Sequence, residues 1–105
     1  MAAYVIVDVT VHDAATYERY RVLAEQSIAQ YDGRYLVRGG AATLLEGERP
    51  PARVVVLEFP SVDRAREWWE SREYSEAKAL RQASATSEMV LVEGVVVGPG
   101  DAPGP

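Results

Sequence analysis

Three acidic side chains interrupt otherwise apolar runs: Asp8 within residues 4–11, Glu58 within 53–59 and Glu93 within 87–97. A carboxylate facing an interior must be paired or hold its proton to higher pH, because an unpaired buried charge is strongly disfavoured. Arg38, in the run 34–38, carries a planar guanidinium fork suited to gripping a carboxylate, either one of these three or one belonging to a ligand. Two readings stand side by side. In the first, Arg38 orients an anionic or carbonyl oxygen in a pocket between helices and sheet while Asp8 or Glu58 moves a proton. In the second, the charges form a structural ion pair at a strand end or a subunit seam.

Aromatic residues supply a second set: Tyr17, Tyr20, Tyr31, Tyr35, Tyr74, Trp68 and Trp69. Tyr17, Tyr20, Trp68 and Tyr74, together with Arg38, are the candidates for lining a cavity that takes a flat organic ligand, with the phenol of Tyr20 or Tyr74 donating a hydrogen bond. The plainer alternative is that these rings fill the core. Neighbouring residues on a helix point about 100° apart, so only one of Trp68 and Trp69 faces squarely inward. Trp68, three residues after Ala65, is that one. His12 is the single histidine and there are no cysteines, so neither a zinc site nor a thiol nucleophile is expected. A capping or solvent-facing role suits His12 better. Gly39-Gly40 lacks the strand, loop and helix of a phosphate cradle, and the serines have no identifiable base. No cofactor is called for.

The elements that must position these groups follow from hydrophobic period and caps. Residues 4–11 are dense in β-branched side chains and read as a strand. Asp13 caps a helix in which Tyr17, Tyr20, Ala24, Ile28 and Tyr31 recur at spacings of three and four, and Gly33 ends it. Residues 34–38 form a short strand, Gly39-Gly40 permits a bend or bulge, residues 41–46 continue as an extended piece, and 47–51 turn. Residues 53–59 are the clearest strand and close at Pro60. Ser61 caps a second helix that breaks and restarts at Ser71, with Tyr74, Ala77, Leu80 and Arg81 inward. Residues 87–97 are the last strand, and the Gly/Pro-rich tail 98–105 is expected to be mobile. The order is βαββαβ with the second helix split, an α+β, ferredoxin-like pattern with helices over one face of an antiparallel sheet.

Length and composition bound the function. The 105 residues suit one domain, spanning 1–97, and 48% hydrophobic with 26% charged residues is a globular balance. A formal charge of −5 disfavours nucleic acid and anionic membranes as partners, and no apolar run is long enough to span a bilayer. A cytoplasmic protein is the default expectation. Val5-Ile6-Val7, Val54-Val55-Val56-Leu57 and Met89-Val90-Leu91-Val92 are apolar on both faces, so the face away from the helices needs a cover. A second copy, packed sheet against sheet as a homodimer, is the economical one.

Tyr35-Leu36-Val37-Arg38-Gly39-Gly40 followed by Leu45-Glu46-Gly47 resembles the domain-of-unknown-function 1330 family. Ala3 to Val9, Glu58-Phe59-Pro60-Ser61, Ala65, Trp68, Ser71, Glu73-Tyr74, Arg81 and Leu91-Val92-Glu93-Gly94 fall in that family's order and spacing, so the likeness covers residues 3–95. The resemblance implies a dimeric α+β barrel and supplies no reaction. The wider superfamily includes cofactor-free monooxygenases, isomerases and haem-handling enzymes, which is analogy at the level of fold. This chain has no asparagine, a residue that the haem-degrading and quinone-forming members typically employ. What emerges is a small-molecule-binding dimer, either catalysing proton transfer, isomerisation, cyclisation or oxidation of a small carbonyl or carboxylate compound, or binding without catalysis.

Overall fold

Branching at Cβ suits valine and isoleucine to a pleated surface, and the first strand uses both. In the computed structural model, which describes residues 1–95, β1 spans Ala3–Val11. Its side chains alternate: Ala3, Val5, Val7 and Val9 are buried, while Ile6, Asp8 and Thr10 are exposed. Helix α1 covers Ala14–Gln30 and starts where Asp13 accepts hydrogen bonds from the Thr16 backbone N–H at 3.1 Å and its hydroxyl at 2.7 Å. Those two bonds hold the Asp13 carboxyl below its usual pKa.

Strands β2 (Arg34–Arg38) and β3 (Val54–Phe59) follow, then α2 (Val62–Glu70), α3 (Arg72–Ser84) and β4 (Ala85–Glu93). Ser61 caps α2 by accepting from the Arg64 N–H. Ser71 ends α2 and caps α3 by accepting from the Tyr74 N–H, which is why the second helix is split. The sheet order is β2-β3-β1-β4, antiparallel throughout. This is the ferredoxin-like α+β arrangement anticipated from element order. Residues 41–46, expected as an extended piece, are not a strand, since no neighbour pairs with them in the sheet. The bulge falls between Tyr35 and Val37 rather than at Gly39-Gly40. The last strand, expected over 87–97, runs instead from Ala85 to Glu93, and residues 94–95 are not strand; residues 96–97 and the tail 98–105 lie outside the described residues.

The core lies between the helices and the inner sheet face. Trp68 is fully buried, with its ring centroid 4.2 Å from that of Tyr74 and 5.3 Å from that of Phe59. Its indole N–H donates to Ser27 Oγ at 3.0 Å, which in turn donates to the Ala24 carbonyl, so the polar end of the ring is satisfied. Trp69, one position on, stays 42% exposed, as the 100° step requires.

Gly33 sets the close approach of α1's end to the sheet: a Cβ there would lie 2.6 Å from Phe59 Cε1 and 2.8 Å from Ile28 Cγ2. A Cβ on Gly40 would meet nothing within 4 Å. Gly33→Ala is expected to lower the unfolding free energy by about 1–3 kcal/mol, with Gly40→Ala nearly neutral, as read by urea denaturation. Equal effects of the two would contradict this packing.

Candidate functional site

Period-two alternation decides which side chains meet. On the outer sheet face, cross-strand register places Val37, Val56, Ile6 and Val90 in one row across all four strands. The next row carries Arg34, Glu58, Tyr4 and Val92, and the row on the other side carries Val54, Asp8 and Glu88. Glu58 is thus held by its cross-strand neighbour Arg34, Nε to Oε1 at 2.7 Å. Asp8 accepts from the Ala52 backbone N–H at 3.0 Å.

Arg38 lies on the opposite face. Arg34 and Arg38 are four residues apart and would share a face in a regular strand, but the bulge after Tyr35 shifts the alternation. Arg38 therefore pairs in register with Val55 on the helix side, packs over Tyr35 at 4.3 Å and donates to Glu25 of α1 at 3.1 Å. The expected meeting of Asp8, Glu58 and Arg38 does not occur within one chain, because the sheet separates the first two from the third. Glu93 is exposed near Met1 and Ser61 at the sheet's far end.

The helix-side face holds a narrow cleft between α1, α3 and the sheet, with Tyr17, Tyr20, Tyr35, Arg38, Arg53 and Arg81 among its walls and Val7, Val55, Leu57 and Met89 as its floor. Its cavity volume is about 20 Å³, room for one or two waters. A larger groove of about 270 Å³ runs between α2 and the β4 edge, but among the described residues Arg66 and Glu70 are its only charged walls. Chemistry points to the smaller space, where polar groups converge. Of the aromatic candidates, Tyr17 and Tyr20 line this cleft, Tyr74 stands behind Tyr20, and Trp68 belongs to the core.

The hydrogen bonding is asymmetric. Tyr20 Oη lies 3.3 Å from Tyr74 Oη, which accepts from Arg81 Nε at 3.3 Å, and Arg81 Nη1 donates to Ser87 Oγ at 2.6 Å. Arg81 is 7% exposed, yet among the described residues no carboxylate pairs with it. Arg53 is likewise without an ion pair there, and its Nε is buried with no hydrogen-bond partner. Among the described residues, no aspartate or glutamate is in the cleft's walls. Glu18 and Glu25, which pair with Arg21 and Arg38, stand at the exposed outer side. A desolvated guanidinium without a counter-charge costs several kcal/mol, so this cleft is poised for negative charge. Arg53 and Arg81 were not singled out as site residues from sequence. Arg81 had left a signal, a charged residue on α3's inward stripe, and Arg53 shares the alternation of Val55 and Leu57.

Burial pushes the Tyr17, Tyr20 and Tyr35 phenols above the ordinary tyrosine range, most strongly at Tyr20, where the adjoining Tyr74 phenol adds to the effect. They remain neutral donors at any physiological pH. His12 lies away from the cleft, with Nε2 2.7 Å from Thr86 Oγ1 at an exposed site. Among the described residues no group of three or more His, Cys, Asp or Glu side chains could hold a metal.

Four antiparallel strands in the order β2-β3-β1-β4 with helices on one face define a ferredoxin-like α+β protein. The chain belongs to the family described as domain of unknown function DUF1330, whose model matches residues 2–95. A protein of unknown function from Rhodopseudomonas palustris superposes with a TM-score of 0.74 at 20% identity, covering 91% of this chain and 84% of that one. A dimeric protein of unknown function with a ferredoxin-like fold from Bacteroides fragilis gives 0.60 at 14% identity, covering 89% and 96%. SnoaB, a cofactor-independent oxygenase from Streptomyces nogalater, gives 0.56 at 21% identity, covering 93% and 96%. At these identities the likeness is one of fold. No protein of curated function matches the sequence.

The raised phenol pKa values carry a stability prediction. In the unfolded chain a tyrosine ionises near pH 10, whereas folded Tyr20 holds its proton beyond that. Its contribution is therefore full below about pH 10 and is lost as pH rises further. Tyr20→Phe should flatten this alkaline decline, measured as the change in urea unfolding free energy between about pH 9 and about pH 11. Equal slopes in the two proteins would contradict a buried phenol.

Proposed function

We propose that this protein is a homodimeric small-molecule-binding α+β barrel, whose helix-side cleft takes a small carbonyl or carboxylate compound through guanidinium and phenol donors. The observation that carries the ligand reading is the convergence of Arg38, Arg53, Arg81, Tyr17 and Tyr20 on one cleft with no carboxylate in its walls among the described residues. Such donors bind and stabilise oxygen-centred negative charge. If the protein is an enzyme, cofactor-independent chemistry on that compound would be assisted by this stabilisation. SnoaB offers only a fold-level analogy for such chemistry, since the two chains are 21% identical.

The carboxylate bases expected from sequence, Asp8 and Glu58, stand across the sheet from the cleft. That separation favours the second reading, a non-catalytic binding or accessory dimer. A screen of small acids and aromatic carbonyl compounds by thermal shift is expected to give stabilising hits that weaken in Arg38→Ala, because Arg38 stands at the cleft. Hits that convert on incubation, followed by mass spectrometry, would support catalysis. A broad library without a hit would overturn the ligand reading.

Support for the dimer comes from the outer face. Ile6 and Val37 are each 39% exposed, Val90 is 53% and Val92 42%, all on the sheet side that no helix among the described residues covers. A contiguous apolar band of this kind is the usual mark of a protein interface. The dimeric Bacteroides fragilis protein of the same fold is consistent with it. Ile6→Asp, at the centre of the band, should shift the protein to the monomer in size-exclusion chromatography with light scattering. Thr10→Asp, near the polar end of β1, should leave the dimer intact. No change of mass in Ile6→Asp would count against this interface.

A further inference from the structure

The geometry points to an anionic ligand, an organic monocarboxylate ionised at neutral pH, whose two oxygens enter the cleft against Arg81 and Arg53. This inference rests on the cleft-binding reading above and decides between its two ligand classes. A neutral carbonyl needs donors but no counter-charge. The cleft holds more positive charge than donor geometry alone requires: Arg81 is buried and Arg53 half-buried, and neither has a carboxylate partner among the described residues.

Arg81 is a fixed charge rather than a free-swinging one. Two of its five N–H donors are spent on Tyr74 Oη and Ser87 Oγ, which lock the guanidinium plane and leave the others for an acceptor. Arg53 contributes a buried Nε with no partner. Arg38, whose Nη2 is already engaged by Glu25, is an outer contact rather than the anchor. The cavity's room for one or two waters matches the two oxygens of a carboxylate, with the ligand's body left toward the mouth. A positive cleft in a chain of net charge −5 also concentrates an anion locally that the overall field would repel.

The test uses matched pairs that differ only in charge, benzoate with benzamide, phenylacetate with phenylacetamide and hexanoate with hexanamide, by isothermal titration calorimetry on the full chain. At least one acid should bind more tightly than its amide by about ten-fold or more, with affinity falling as salt rises. Arg81→Gln and Arg53→Gln should each remove about ten-fold or more of the acid's affinity, a larger factor than either takes from the amide's, because the amide loses a neutral hydrogen bond and the acid a charge-assisted one. Arg53→Gln, at the half-buried position, serves if Arg81→Gln does not fold. Amides binding as tightly as acids would overturn the anionic assignment and leave the cleft-binding reading standing. Failure of every acid and amide to bind would overturn both. Acid binding unchanged in a folded Arg53→Gln or Arg81→Gln would overturn the anchor.

Discussion

The alternation of β1 divides the molecule into two faces, and every later feature inherits that division. Ala3, Val5, Val7 and Val9 point to the helices and build the core, so Tyr4, Ile6, Asp8 and Thr10 must point the other way. Because β1 is a central strand paired to both β3 and β4, its register fixes the faces of its neighbours as well. A shift by one residue would expose the core valines. The fold therefore holds this register tightly, and the positions of the charged residues follow from it.

One irregularity refines the division. The bulge in β2 sends Arg34 outward to Glu58 and Arg38 inward to the cleft, although the two arginines are an even number of residues apart. The outer carboxylate is thereby neutralised at the surface. Inside, Arg81 sits among Tyr74, Ser87 and the cleft with hydrogen bonds but no opposite charge among the described residues. Hydrogen bonds to neutral oxygens recover part of the lost hydration and leave the electrostatic penalty only partly offset. The inward charge and the inward phenols together give the cleft its donor character.

Most of the fold was legible in local chemistry. Asp13, Ser61 and Ser71 announced helix starts because their side-chain oxygens satisfy N–H groups that the helix leaves free, and the Ser71 break is where α2 gives way to α3. The angular step between Trp68 and Trp69 separated core from surface. The site was less legible for a physical reason. Whether Asp8, Glu58 and Arg38 share a face depends on register and on a bulge, which are properties of strand pairing and leave no mark in any one strand. Residues 41–46 misled in a related way, since extended character produces a strand only where a neighbour offers its backbone. Arg81 was visible on its helical stripe, but only the absence of a nearby carboxylate among the described residues made it a site residue.

The same division leaves the row Val37, Val56, Ile6 and Val90 uncovered, flanked by rows that carry charge. Apolar centre and polar rim is the anatomy of a protein interface, and a self-complementary face suits a two-fold pair. Sedimentation equilibrium of the unmodified chain over a range of micromolar concentrations tests this most directly. A sheet-to-sheet dimer requires a mass twice the 11.5 kDa of one chain. A single species at 11.5 kDa throughout would contradict it.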